Sequence, residues 1–166
     1  RPSEAIQFAK EKMAVVSIFF FLYVVTYTLA KQVGLANALK TSAGIIYLPA
    51  GARLLACLVG RMWGGVGVFI ATWLIVAPDV FSGQSNFFYF MAALTNSASV
   101  LFSVMAAQKF FKISEDLSNL NLIHLPFIDL FATITQAVCY YFFLITVGYL
   151  DVAEVPNKFV SQVTGN

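Results

Sequence analysis

Long apolar runs separated by short charged segments dominate the sequence. The first run, Met13 to Ala30, contains no charged residue and is bracketed by Lys12 and Lys31. Its length is close to the roughly 20 apolar residues that a helix needs to cross a bilayer. Four further apolar runs follow at residues 43–60, 64–78, 86–107 and 122–150. The pattern predicts an all-α, polytopic transmembrane helical bundle with about five spans, the first near 13–30, in one domain over 13–150.

The segments outside these runs are predicted to lie outside the lipid. Residues 1–12 are interpreted as an interfacial N-terminal segment, with Ser3 as an N-cap and Glu4 in the first helical turn. A cleavable signal peptide is the alternative, since basic residues precede the first run, but the acidic residues there and the four later runs disfavour it. Residues 109–121 are predicted as a loop or interfacial helix, and residues 151–166 as a polar C-terminal tail.

Small residues predict where helices approach each other closely. Gly60 and Gly64 stand between the second and third runs, where glycines favour a tight hairpin. Thr95, Ser99 and Ser103 recur every four residues in the fourth run and therefore share one helical face. In lipid such a face is more often a packing seam than a binding surface, so helix packing is the predicted role of all five residues.

The composition narrows the class of protein. The chain is 60% hydrophobic and 11% charged, whereas soluble domains have roughly 25% charged residues. These values exclude a soluble domain, a disordered chain, a nucleic-acid binder with a basic stripe and a disulfide-stapled module. Cys57 and Cys139 fall within predicted spans and are expected to pack rather than to form a disulfide. The first predicted partner is the lipid bilayer.

The basic residues predict the orientation. Six of them fall on the N-terminal side of a five-span topology and three on the other: Arg1, Lys10, Lys12, Arg61, Lys109 and Lys112 against Lys31, Lys40 and Lys158. Because cytoplasmic loops carry the excess of Lys and Arg, the N-terminus is predicted to be cytoplasmic.

Two ionisable residues lie inside the predicted spans, Arg53 in the second and Asp129 in the fifth. Each is seven residues from a span end on the same side, which places both roughly 10 Å below the same surface. Charges within a bilayer are costly, so the matched depth motivates the hypothesis of an intramembrane ion pair. The alternative is that Arg53 snorkels to the interface and Asp129 caps the helix after Pro126.

A ligand-binding or intramembrane polar site is predicted around this pair. His124 precedes Asp129 on the fifth span, and Pro49 and Gly51 are expected to leave backbone amides and carbonyls free in the second. An arginine beside an irregular helix start suits a carboxylate or phosphate group of a ligand.

The sequence contains no pattern that predicts catalysis. Metal-ligand spacings, phosphate-binding loops and nucleophile elbows are absent from it, so an enzyme and a metal site are not expected, and no cofactor can be assigned. The aromatic groups at 19–21, 87–90 and 140–143 suit contact with lipid or other helices, with a chromophore or quinone as the alternative.

One stretch carries a family resemblance. The sequence YLPAGARLLACLVG, Tyr47 to Gly60, followed by RMWGGVGVFIATWL, resembles the MASE-type integral membrane sensor domains of bacteria. The resemblance consists of a proline, alanine and glycine motif that opens an apolar helix, and a short turn with tryptophan and glycines: Pro49, Ala50, Gly51, Arg53, Trp63, Gly64 and Gly65. It implies a multi-span domain of the bacterial inner membrane that senses a ligand and signals to a cytoplasmic kinase or cyclic-di-GMP enzyme. The chain departs from this pattern because it has fewer spans and no output domain after the last one.

The function expected from the sequence is that of a bacterial inner-membrane protein of sensor or ligand-binding type that acts through a membrane partner or as a homo-oligomer. Two alternatives stay open. One is the substrate-binding component of a small-molecule transporter, and the other is a structural accessory subunit of a respiratory or photosynthetic membrane complex.

Overall fold

The computed structural model describes residues 2–32, 47–114 and 117–164, and helices make up most of this part of the chain. Four helices are long and apolar enough to cross a membrane, so this is a multi-pass helical protein. A shorter helix, α2, has 13 residues and is ~20 Å long. The six helices described are α1 Pro2–Ala30, α2 Tyr47–Val59, α3 Arg61–Val80, α4 Asn86–Phe110, α5 His124–Thr146 and α6 Val155–Thr164.

The N-terminal segment is helical and continuous with the first long apolar helix. α1 continues without a break from Pro2 to Ala30, and Glu4 through Lys10 are all exposed. No glycine or internal proline interrupts this stretch, so nothing in the sequence ends the helix at residue 12. The segment is therefore not a separate short helix, and its place at the membrane interface stays a prediction.

The helix α3 is longer than the apolar run at 64–78 predicts. α3 begins at Arg61 and passes through Pro78, which gives it 20 residues. Thr72–Val76 form a π-helical turn directly before Pro78, and the Ala77 N–H donates to the carbonyl of Thr72. Proline in a helix clashes with the carbonyl four residues earlier, and a wider turn relieves this clash. The helix therefore continues where the sequence predicts an end.

Glycines bring three helices into contact. The chain turns at Gly60 and Arg61, whose φ of 52° breaks the helical path between α2 and α3. A Cβ at Gly64 would lie 2.0 Å from the carbonyl oxygen of Ala56 on α2. A Cβ at Gly67 would lie 2.5 Å from the carbonyl oxygen of Val16 on α1. Only glycine fits at these two positions, so α3 packs backbone to backbone against both neighbours.

The helix directions follow from contacts at two levels. Gly67 lies against Val16, and Asp79 bonds to Lys31, so later residues of α3 meet later residues of α1 and the two helices run in parallel. α4 is antiparallel to α3, and α5 is antiparallel to α4. The contacts that fix these directions are Gly65–Leu101, Trp73–Phe90, Phe88–Phe143 and Phe111–His124. Hereafter, the lower end of the bundle is the one with Gly60, Phe110 and His124, and the upper end is the one with Lys31, Asp79 and Thr146.

The connecting segments at the two ends have local caps. Ser85 Oγ accepts a hydrogen bond from the Phe88 N–H at 3.2 Å and begins α4. Gly148, with φ of 71°, follows α5 and ends it in the left-handed conformation. The tail predicted as merely polar contains α6, and Phe159 of this helix packs on Tyr141. Val155 and Phe159 pack against the apolar cluster at the upper end of α5, which includes Tyr141 and Leu144.

Candidate functional site

A polar network at the centre of the bundle joins three helices through Arg53. Its Nη1 donates to Asn96 Oδ1 on α4 at 2.8 Å, and its Nη2 donates to Gln136 Oε1 on α5 at 2.6 Å. Gln136 Nε2 donates in turn to the same Asn96 oxygen at 2.5 Å. The three side chains form a closed ring of hydrogen bonds that ties α2, α4 and α5 together.

The guanidinium group of this network is deeply buried, and no carboxylate of the described residues forms an ion pair with it. Arg53 is 6% exposed and Gln136 5% exposed. Both acceptors are neutral amides, which hydrogen-bond a cation without neutralising it. Burial of a charge is costly unless it is paired, so the unpaired charge of Arg53 lowers the electrostatic stability of the bundle.

Asp129 lies close to this network but outside it. Arg53 and Asp129 line the same partly open cleft of about 10 Å³, together with Ala50, Leu54, Val100, Ala132, Thr133 and Gln136. No ion pair joins the two charges within the described residues. The structure brings the hypothesised partners to one cleft and gives Arg53 different hydrogen-bond partners.

The direction of the helices explains why the guanidinium group of Arg53 hydrogen-bonds to the amides and not to Asp129. The Cα–Cβ bonds of a helix tilt toward its N-terminus. α2 descends toward Gly60 and α5 ascends from His124, so the side chain of Arg53 leans upward and that of Asp129 leans downward. Gln136 lies about two turns above Asp129 on α5, in the direction of the guanidinium. Matched depth of the backbone therefore does not bring the two charged groups together.

One donor of Arg53 is unused. The Nε–H is buried and has no hydrogen-bond partner among the described residues. Buried polar groups are almost always hydrogen-bonded, to protein or to ordered water. The Nε–H therefore marks a position where a further hydrogen-bond acceptor fits.

The other residues of the predicted polar site lie apart from the cleft. His124 is at the lower end, where its ring stacks on Phe111 at 5.1 Å and its Nδ1 accepts from the Asn121 N–H at 3.3 Å. Pro49 falls in the first turn of α2, where a missing N–H leaves no helical bond unmade. Gly51 lies in regular helix and faces open space. The structure thus groups Arg53 with Asp129 but not with these three residues.

The residues with a predicted packing role are placed as follows. Gly60 and Gly64 lie at the close contact of α2 and α3. Ser99 and Ser103 are buried, and Thr95 is half-buried. The two serine hydroxyls donate to backbone carbonyls of their own helix, at Asn96 and Ser99. Both serines are thus buried in the bundle, and the hydrogen bonds of their hydroxyls stay within α4.

Sequence reasoning missed Asn96 and Gln136 as functional candidates. Both are amides within apolar runs, and such side chains commonly hydrogen-bond between transmembrane helices. Only ionisable residues were considered as partners of Arg53, and Asp129 was therefore selected. An accounting of all strongly polar side chains within the spans would have included both amides.

The described residues contain no group of three or more His, Cys, Asp or Glu side chains that could hold a metal ion. Cys57 is buried and Cys139 half-buried, and both are free thiols.

Comparison with known proteins returned no match to any protein-family model, curated protein or solved structure.

Proposed function

We propose that the protein is a non-catalytic, multi-pass protein of the bacterial inner membrane, of sensor or ligand-binding type, that acts through a membrane partner. The observation that carries the proposal is the buried Arg53 cation, held by neutral amides of α4 and α5. Ionisable groups inside membrane bundles mark functional sites by default because their burial is costly. Three helices meet at this one group, so a change in its partners alters how they pack.

The position of Asp129 supports a switching role for the network. Arg53 has neutral partners on one side and a carboxylate across the same cleft. A sensor needs an element with two arrangements of similar free energy that a signal can bias. Exchange of Arg53 between the amides and Asp129 would change which side chains of α4 and α5 hold α2, and this is the rearrangement that we propose a ligand or partner controls.

The resemblance to MASE-type sensor domains supports the same function. The stretch that carries it, Tyr47 to Gly60, forms α2 and contributes Arg53 to the network. The glycines after it form the contact between α2 and α3. The resembling segment thus contains both the buried charge and the close helix contact on which the proposed rearrangement depends.

The proposed topology has five crossings, a tight α2–α3 hairpin and a cytoplasmic N-terminus. Support for the second crossing comes from the parallel course of α1 and α3, since the chain must return from Lys31 at the upper end to Gly60 at the lower end. The contact of Gly64 with Ala56 supports the hairpin. Support for the orientation comes from Arg61 and Lys109, which lie with Lys10 and Lys12 toward the lower end.

A structural accessory subunit of a membrane complex is the second candidate, and the size of the cleft favours it. A cleft of about 10 Å³ holds on the order of one water molecule, whereas ligand pockets measure roughly 300–1,000 Å³. A vitamin-sized substrate does not fit beside Arg53 in this conformation, so the transporter alternative gains no support from the cleft.

The test is purification from bacterial membranes in a mild detergent, with mass spectrometry of the copurifying proteins and small molecules. We expect a membrane protein in fixed ratio to the wild-type chain. Arg53→Met is expected to reduce its recovery, and Lys31→Met, which removes a cation from the exposed upper end, is the matched control. A thermal unfolding curve for each variant shows whether it is folded.

The outcomes separate the two candidates. A partner that stays bound to a folded Arg53→Met variant, and that is degraded when this chain is deleted, supports the structural subunit. A clean wild-type monomer with no partner and no bound molecule contradicts both.

A further inference from the structure

We infer that the cleft between α2 and α5 is a binding site for a single water molecule, which bridges the Arg53 Nε–H and the Asp129 carboxylate. The first observation is the unused donor. The Nε–H of Arg53 is buried without a partner among the residues described, on a side chain that is 6% exposed. A buried donor without an acceptor is destabilising, and a hydrogen bond to ordered water is the usual way in which such a donor is satisfied.

The second observation is the composition of the cleft. A bound water needs two to four polar partners and roughly 10–15 Å³ of accessible space. The cleft measures about 10 Å³ and has polar groups from Arg53, Asp129, Thr133 and Gln136 in its lining. Both requirements are met in a cleft that Arg53, the residue with the unused donor, itself lines.

The third observation is that the Asp129 carboxylate, too, has no partner among the residues that the structure describes. No hydrogen bond or ion pair to a described residue engages its carboxylate, although it lies in the bundle beside a buried cation. A carboxylate accepts hydrogen bonds only, and a water can donate to it while accepting from Nε–H. The water would make Arg53 and Asp129 a solvent-separated ion pair.

The size and charge of the cleft exclude other ligand classes. A phosphate or carboxylate group is larger than the available volume, and Asp129 opposes an anion at this position. A metal cation is opposed by Arg53. A neutral, water-sized molecule that donates and accepts hydrogen bonds satisfies both sides.

The test uses nuclear magnetic resonance of arginine side chains in lipid nanodiscs. The arginines of the chain are Arg1, Arg53 and Arg61, so a protein with Arg1→Lys and Arg61→Lys carries the Nε–H signal of Arg53 alone. With ¹⁵N-labelled arginine and deuterated lipids, we expect magnetisation transfer from water protons to this Nε–H at short mixing times. Bulk water does not explain such transfer, because the side chain is buried.

Two variants of Asp129 sharpen the result. Asp129→Asn keeps an acceptor of the same size, so the transfer is expected to persist. Asp129→Leu removes the acceptor and fills the cleft, so the transfer is expected to be lost. Absence of transfer in the Arg53-only protein overturns the inference without any change at Asp129. Unchanged transfer in Asp129→Leu overturns it as well. So does a second sample with protonated lipid in which the transfer comes from lipid protons and not from water.

Discussion

Arg53 and Asp129 line one cleft from α2 and α5, yet the guanidinium group of Arg53 hydrogen-bonds to two neutral amides and not to the carboxylate. The consequence is electrostatic. Neutral acceptors satisfy the directional bonds of Arg53 and leave its charge only weakly compensated. The stability of the bundle should therefore respond strongly to any change that supplies a negative charge at the amide positions.

Asn96→Asp is expected to stabilise the protein. Asn96 Oδ1 accepts from both Arg53 and Gln136, and a carboxylate of the same shape accepts both bonds while adding the opposite charge. Hydrogen bonds to charged groups contribute more than neutral ones, so we expect a gain of about 1–2 kcal/mol. The measurement is thermal unfolding in mild detergent in a Cys139→Ala background. Unfolding is monitored by the reaction of the buried Cys57 thiol with a thiol-specific dye.

The same substitution in an Arg53→Met background is the control. There the new carboxylate has no cation beside it, so Asn96→Asp is expected to destabilise the protein. The reversal of sign is the signature of the Arg53 network. If Asn96→Asp has the same effect in both backgrounds, its carboxylate does not interact with Arg53 and the network is wrong.

Two glycine positions should respond oppositely to alanine. A Cβ at Gly64 would lie 2.0 Å from the Ala56 carbonyl oxygen, so Gly64→Ala forces α2 and α3 apart and is expected to cost about 1–3 kcal/mol. A Cβ at Gly51 meets nothing within 4 Å, and there alanine only improves helix propensity, by about 0.5–1 kcal/mol. Unfolding of the two variants under identical conditions checks the sign of each change. Equal effects would show that α2 and α3 do not make this contact.

The sequence predicted those parts of the fold that the bilayer itself imposes. The length of apolar helices is fixed by the thickness of the membrane, so the first and fourth runs give α1 and α4 with ends at Ala30 and Asn86. The start of α3 at Arg61 was not predicted, because a basic and aromatic segment reads as a loop. Its passage through Pro78 depends on the π turn, which has no signature in the pattern of polar residues.

The charged residues of the candidate site were predicted from the sequence, but the hydrogen-bond partners of Arg53 were not. Arg53 and Asp129 stand out from the sequence because charge is rare in apolar runs, and their depth follows from residue counting. The partners of Arg53 depend on which way side chains lean and on which helices are neighbours. Neither follows from residue counting, so Asn96 and Gln136 could be identified as the partners of Arg53 only in the assembled bundle.

At the upper end of the bundle, Tyr27 is expected to matter more than Lys31. Both bond to Asp79, Tyr27 through its hydroxyl and Lys31 through an ion pair of 2.6 Å. The Lys31 and Asp79 side chains are 52% and 37% exposed, and such pairs contribute about 0–1 kcal/mol and weaken in salt. Tyr27 is buried, and a hydrogen bond from it to a carboxylate is worth about 1.5–3 kcal/mol.

The comparison is between Tyr27→Phe and Lys31→Met, each unfolded at low and at 1 M salt. Tyr27→Phe should lower the unfolding temperature at both salt concentrations, because the donor is a buried, neutral hydroxyl whose hydrogen bond depends less on ionic strength than an ion pair does. The smaller effect of Lys31→Met should disappear at 1 M salt. A larger, salt-resistant loss in Lys31→Met would mean that the ion pair and not the hydroxyl holds α1 against α3.

Cysteine labelling from the two sides of the membrane tests the proposed topology. In a Cys57→Ala and Cys139→Ala background, single cysteines are placed at three exposed positions: Gln7, Ser82 and Asn157. A maleimide that cannot cross membranes is added to intact spheroplasts or to inverted vesicles. Five crossings with a cytoplasmic N-terminus predict that Gln7→Cys reacts only in inverted vesicles, and that the other two react only in spheroplasts.

The position at Ser82 is the informative one, because the side from which it is labelled depends on whether the α2 segment crosses the membrane. Ser82 follows α3 and lies at the upper end with Lys31. If the segment with α2 did not cross, the parallel course of α1 and α3 would be lost and Ser82→Cys would react from the same side as Gln7→Cys. Labelling of Ser82→Cys and Asn157→Cys from one side and Gln7→Cys from the other requires that the chain between Lys31 and Arg61 crosses the membrane.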